Sequence, residues 1–303
     1  MKSFIANAND ANQRLDKYIS KIADIPKGLL YKFLRTGHIK VNKKKKDGNY
    51  ILTVGDTISF FIDDSFFKAE KKSESVANKK FTLDVVFENE DILIINKPAG
   101  LKSQPDKKGE DALSEFVKSY LLAKGEYTPE TEATFTPAIA NRLDVNTSGL
   151  VIAAKNAEAL RIINEKIKNR EIKKFYRCIV NGIPEKKADI LTGYILKDKS
   201  KNISQIIRTE KSGSLFVKTG YMVLDSKNEK SLLEVELHTG RSHQIRAHLA
   251  SIGHPLYGDF KYGGGNGTQK LCAFRIRFDF TTDSGKLSYL TGKIIEITEP
   301  FLL

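Results

Sequence analysis

Residues 63–80, DDSFFKAEKKSESVANKK, carry charge and serine with no sustained apolar period. Such a stretch has no face to bury and reads as a linker. It cuts the chain into a short unit, residues 1–62, and a long one, residues 81–303. Each must bury its own core, and 303 residues allow about two domains.

The short unit opens with NQRLDKYISKIA, where Leu15, Ile19 and Ile22 recur at helical spacing and Arg14, Lys17 and Lys21 face elsewhere. Pro26 starts a second helix with Leu30, Phe33 and Leu34 on one side and Lys27, Lys32 and Arg35 on the surface. Gly37 is placed as its C-terminal stop. HIKVN, the basic turn from Lys43 and Lys44 to Gly48, and ILTVGDTISFFI then predict a hairpin and a final strand. Charge is concentrated here. Residues 1–62 hold 12 Lys and Arg against 5 Asp, so +7 of the chain's net +13 falls in about a fifth of its length. That asymmetry points to an anionic partner, nucleic acid before membrane, with a solvated lysine face as the bland alternative.

The long unit is strand-rich with a few helices. FTLDVVFENEDILIINKPAG predicts two strands, and DALSEFVKSYLLAKG a helix with a Leu113, Val117 and Leu121 stripe. Residues 125–137 read as a loop. LVIAAK leads to a helix capped by Asn156, with Leu160, Ile163 and Ile167 in register. KKFYRCIVNG and SLLEVELH are strands. After them a helix is expected from near Gly240 to Gly253, burying Ile245, Leu249 and Ile252. Arg246 and His243 then flank this stripe on one side and Arg241 and His248 on the other, crowding that suits a cleft.

The short unit closely resembles the S4 RNA-binding domain through RLDKYI, LLYKFLRTGHIKVN and VGDTI. The resemblance implies phosphate contacts from Arg14, Lys17, Lys27, Lys32, Arg35, Lys43 and Lys44, directed by RNA shape and sensitive to salt. In the long unit NKPAGL, NRLDVNTSGL, KKFYRCIVNG and HTGRSHQIRAHLASIGHPLYGD are similar, in order and spacing, to the large-subunit ribosomal branch of the RluA/RluC pseudouridine synthases. The implied fold class is α+β, a mainly antiparallel sheet in the catalytic domain behind a small α/β S4-like domain. Residues 1–62 are the expected RNA-binding domain, 63–80 the linker and 81–303 the catalytic domain.

This resemblance also implies a chemistry. Uridine loses its N-glycosidic bond, turns, and is rejoined through C5, with no redox change and no cofactor. Asp144 is the expected catalytic carboxylate, attacking the nucleotide or assisting a glycal-like intermediate. Such a carboxylate must be ionised, and a guanidinium is well suited to keep it so, here Arg246 and not the adjacent Arg142. Tyr176 is expected to stack on the base and relay the C5 proton, Ile245 to line the base pocket, and Arg241 to contact the substrate. Arg142 is expected to fill the space of the flipped uridine. Thr147, Ser148 and Gly149 are expected to form the turn that aims Asp144. The family's commonest motif begins with His where Asn141 stands, which puts any role of that His in doubt here.

Cys178 and Cys272 lie far apart, outside any CxxC spacing, and read as core residues of a protein in a reducing compartment. The His residues match no zinc spacing, so no metal is expected. With neither a signal-peptide core nor a window long enough to span a bilayer, the expected location is the cytoplasm, and the default oligomeric state is a monomer. Three other functions remain open: a tRNA-directed synthase, a non-catalytic ribosome-assembly factor and an N-glycosidase. The last would release free uracil.

Overall fold

The computed structural model describes every residue except 69–81, 108, 133, 199, 201 and 299. The N-terminal unit contains β1 (Lys2–Ile5), α1 (Leu15–Ile22), α2 (Lys27–Thr36), β2 (Ile39–Val41) and β3 (Thr57–Phe60). Its antiparallel sheet has the order β1-β3-β2. Leu15, Ile19, Leu30, Leu34, Ile39, Ile58 and Phe60 meet in one core, each contributing roughly 1.5–3 kcal/mol on burial. Pro26 precedes α2, and Gly37 ends it in the left-handed region at φ 84°.

Three features differ from the sequence reading. The β1 strand was not expected. Residues 51–54 are loop apart from an isolated bridge at Ile51, because the buried Asp56 carboxylate gathers Thr53 N, Asn42 Nδ2 and the Tyr50 hydroxyl at 2.9, 2.7 and 3.1 Å. The stretch 63–68 packs on the N-terminal unit, with Phe67 against Phe60 and Lys68 N donating to Ile22 O. Residues 69–80 of the expected linker, and Phe81, lie outside the described residues.

The long unit runs β4 (Val85–Glu88), β5 (Ile92–Lys97), α3 (Leu113–Ala123), β6 (Ala138–Ile139), β7 (Ser148–Ala154), α4 (Ala157–Lys168) and β8 (Ile172–Asn181). It continues through β9 (Ala188–Asp198), β10 (Ile203–Ile207), β11 (Leu215–Lys227), β12 (Lys230–Leu237), α5 (Gln244–Ser251), β13 (Leu271–Phe278) and β14 (Ile294–Glu296). The strands form one sheet of order β10-β9-β11-β12-β8-β13-β7-β5-β4, with β14 beside β13 and β6 beside β7. Among the described residues every pairing is antiparallel except β13 with β7, as expected of an α+β fold.

Successive strand residues point to opposite faces, and β5 and β7 are apolar on both. Leu93, Ile95, Val151 and Ala153 face the core beneath α3, while Ile92, Ile94, Leu150 and Ile152 face that beneath α4. The α3 stripe is buried, and the Asn156 side chain accepts from Ala159 N. No helix among the described residues is long and apolar enough to cross a membrane.

The α5 helix is shorter than expected. Residues 240 and 241 are loop and 242 and 243 a turn, held by Gln244 Oε1, which accepts from Thr239 Oγ1 and Arg241 N, and by His243 at φ 57°. The helix closes at Ser251, so Ile252 falls out of the buried phase and is exposed. His248 also departs from the reading. It turns inward with Nδ1 2.7 Å from Thr219 Oγ1, and burial pushes it down to about 4, so it is neutral in the interior.

Candidate active site

Asp144 sits in the loop that enters β7, and several long-range bonds hold that loop. The Asn141 amide lies along β7, accepting from Ile152 N at 2.9 Å and donating to Leu150 O at 3.4 Å. The buried Ser103 hydroxyl donates to Leu143 O at 2.7 Å and accepts from Leu143 N at 3.0 Å. Lys97, fully buried, donates to the carbonyls of Pro98, Leu101 and Val145 at 2.9, 2.7 and 3.1 Å. Its burial pulls the ammonium down to about 8 against the opposing pull of the Asp144 charge.

The turn itself lies earlier in the chain than expected, centred on Val145 and Asn146. It closes from Thr147 N to Asp144 O at 3.1 Å, and Ser148 and Gly149 already belong to β7. Gly149 is required for close approach rather than for the turn. Its φ is 111°, and a Cβ there would stand 2.3 Å from Ala273 O on β13.

From α5, Arg246 reaches two carboxylates. Nη1 lies 3.0 Å from Asp144 Oδ2, while Nε and Nη2 meet Asp259 Oδ2 and Oδ1 at 2.6 and 2.8 Å. Burial opposes the guanidinium charge, but Asp259 and then Asp144 more than offset it, so its pKa is raised. His243 Nε2 stands 3.8 Å from Asp144 Oδ2, and Nδ1 is 3.0 Å from the Tyr262 hydroxyl. Burial is the main cause of its lowered pKa, followed by the opposing Asp144 charge and the Arg246 charge, which lowers it.

These groups border a cleft of about 1520 Å³, larger than the usual small-molecule pocket. Tyr176 from β8 and Ile245 from α5 are buried in its floor, within the same core. Burial first, then the Asp144 charge, push the Tyr176 phenol up, leaving a neutral ring that can stack or donate. Arg142 and Arg241 are exposed at the cleft, and Lys173, Lys174, Lys197, Lys218 and Lys261 also line it. Among the described residues no group of three His, Cys, Asp or Glu could hold a metal ion.

In the N-terminal unit Lys17, Lys27, Lys32, Arg35, Lys43 and Lys44 are exposed. Arg14 is half-exposed and differs from them, because Nε and Nη2 grip Asp16 at 3.1 and 2.7 Å.

Asp259, Lys97 and Ser103 were not singled out in the sequence. A signal existed for Asp259. An arginine buried beside a carboxylate has further N–H groups to satisfy, and the aspartate ending HPLYGD was available to take them. Lys97 lies within the NKPAG motif, but its partners are backbone carbonyls and leave no trace in residue types.

Residues 91–251 match the RNA pseudouridylate synthase family. An RNA pseudouridine synthase of Mycoplasma capricolum is 33% identical over 304 residues, 97% of either chain. A ribosomal large subunit pseudouridine synthase C of Vibrio parahaemolyticus is 30% identical over 261 residues, 84% of this chain and 77% of its own. The solved structure of human RNA pseudouridylate synthase domain containing 1 superposes with a TM-score of 0.56 at 21% identity, over 75% of this chain and 86% of that one. That likeness supports the fold, and the family match with the full-length relative supports the chemistry: the chain belongs to the RNA pseudouridylate synthase family, and is an isomerase of RNA.

Proposed function

We propose that the protein isomerises uridines of large-subunit ribosomal RNA to pseudouridine, with Asp144 as the carboxylate that acts on the nucleotide. The N1–C1′ bond breaks, the uracil turns, and C5 bonds to C1′. The C5 proton passes to water and N1 gains one, so the atoms balance without an oxidant. Asp144 serves by attack or by assisting a glycal-like intermediate.

The observation that carries this reading is the Arg246 guanidinium, fixed by Asp259 and offering its free edge to Asp144 above a floor of Tyr176 and Ile245. Charged donors held in place before reaction need not reorganise during it. Tyr176 stacks on the turned uracil as a neutral phenol. Arg142, exposed and with no ion pair among the described residues, fills the stack once the uridine is extruded, offsetting part of the unstacking cost of a few kcal/mol. Residues 1–62 act as an S4-like domain whose exposed lysines bind phosphates. The ribosomal substrate is supported by this unit and by the name of the Vibrio relative.

The test is nucleoside analysis of unmodified large-subunit ribosomal RNA after incubation with the purified protein. Pseudouridine in the chain with no free uracil is expected. Free uracil would mean a glycosidase, and unchanged uridine together with salt-sensitive RNA binding would favour an assembly factor.

A further inference from the structure

Away from the chain ends, Phe260 is the most exposed large apolar side chain among the described residues, at 79%. An isolated exposed apolar residue ordinarily calls for no explanation. Three observations set this one apart.

The turn that carries it, Phe260–Tyr262, is held on several sides. Asp259 before it is bound to Arg246, and Tyr262 within it accepts from Ser204 N at 2.8 Å and meets His243 Nδ1 at 3.0 Å. The Arg246 guanidinium lies 4.9 Å from the centre of the Tyr262 ring. Behind the turn, Gly264 N donates to Asp259 O at 2.9 Å, and a Cβ at Gly264 would stand 1.7 Å from Leu256 O. The ring is therefore displayed on the same rigid piece that fixes Arg246.

Its setting is cationic, since Phe260 lines the same cleft as Asp144 with Lys261 beside it. Its ring is also open. Phe216, another aromatic of this cleft, rests edge-on against Tyr194 at 5.9 Å, whereas Phe260 has no ring or cation partner among the described residues.

We propose that Phe260 is a stacking platform for an unpaired RNA base that flanks the target uridine, with Lys261 meeting the adjoining phosphate. An exposed aromatic ring in a basic groove is how single-stranded RNA is gripped, because every base presents a π-face while the cations follow the backbone. The platform takes any base but demands an unpaired one. It thereby restricts the enzyme to uridines whose neighbour can leave the helix. This inference rests on the reading of the cleft as an RNA site.

The test is a binding measurement, so that it stands apart from turnover. A short single-stranded RNA carrying 2-aminopurine beside a uridine is titrated with the full-length protein and with Phe260→Ala, Phe260→Leu and Phe260→Tyr. Wild type and Phe260→Tyr are expected to quench the fluorophore alike. Phe260→Ala and Phe260→Leu should bind about tenfold or more weakly and lose the quench, with unchanged circular dichroism. Equal affinity and quench in Phe260→Ala would overturn the proposal, as would full restoration by Phe260→Leu, which supplies apolar contact without a π-face. Failure to form pseudouridine would refute the proposed activity and leave this measurement free to decide on Phe260.

Discussion

Arg246 turns its Nε and Nη2 edge onto Asp259, at 2.6 and 2.8 Å, and this contact decides which part of the guanidinium remains for Asp144. A planar fork can serve both carboxylates at once, whereas the point charge of a lysine cannot. Asp259→Asn keeps the shape but gives up the charge and one acceptor. Its kcat/KM is expected to fall by about 10- to 100-fold, the effect of weakening a hydrogen bond between charged groups, with kcat falling more than KM rises. Arg246→Lys should lose at least as much. Steady-state kinetics on ribosomal RNA checks both, and an Asp259→Asn enzyme with wild-type kcat would remove Asp259 from any positioning role.

Arg142 faces the cleft without an ion pair among the described residues, so its removal leaves no buried charge behind. Arg142→Ala should therefore fold normally and melt within about 1 °C of wild type. Its turnover on structured RNA is expected to fall by about tenfold or more, with a smaller loss on RNA whose target uridine is already unpaired. Equal losses on the two substrates would exclude a role in flipping.

Glu171, immediately before β8, links acid stability to the strand that carries Tyr176. Burial opposes its ionisation, but the Lys166 ammonium, the Thr282 hydroxyl and the amides of Thr281 and Thr282 hold the carboxyl down to about 2 from its usual 4.5. A carboxyl with a depressed folded pKa contributes stability fully above the unfolded value, and loses it as pH falls through the folded one. This contribution is thus present above pH 4.5 and disappears towards about 2. Urea unfolding at a series of pH values should show Glu171→Gln less stable than wild type at pH 7, the gap narrowing through that window. A constant gap would contradict the assignment.

Lys27, Lys32 and Arg35 are exposed on α2, and under the proposed RNA binding they neutralise phosphates. Replacing all three with Gln should reduce the slope of log affinity against log salt by roughly 2, with little change in sequence preference. An unaltered slope would place the RNA on another face of the N-terminal unit.

Local periodicity made much of the fold legible. The α1 and α3 stripes, the Pro26 and Gly37 limits of α2 and the Asn156 cap depend on neighbours within a few residues. The β1 strand escaped because its partner, β3, lies more than fifty residues on. Ile252 was misjudged because α5 stops at Ser251, ahead of Gly253 in the left-handed region, rather than where apolar spacing would carry it. In the candidate site, the motifs brought Asp144, Arg246, Tyr176, Ile245, Arg142 and Arg241 to notice, and all six line one cleft. Lys97 and Ser103 escaped because they act on backbone groups, and backbone groups look the same in every sequence.

The most direct measurement is release of tritium to water from large-subunit ribosomal RNA labelled at uridine C5, with no cofactor added. Wild type should release tritium in step with pseudouridine formed. Asp144→Asn, which keeps the shape of the side chain and removes its charge, should bind the RNA and release none. Tritium release by Asp144→Asn at the wild-type rate would contradict the assignment of Asp144 as the catalytic carboxylate.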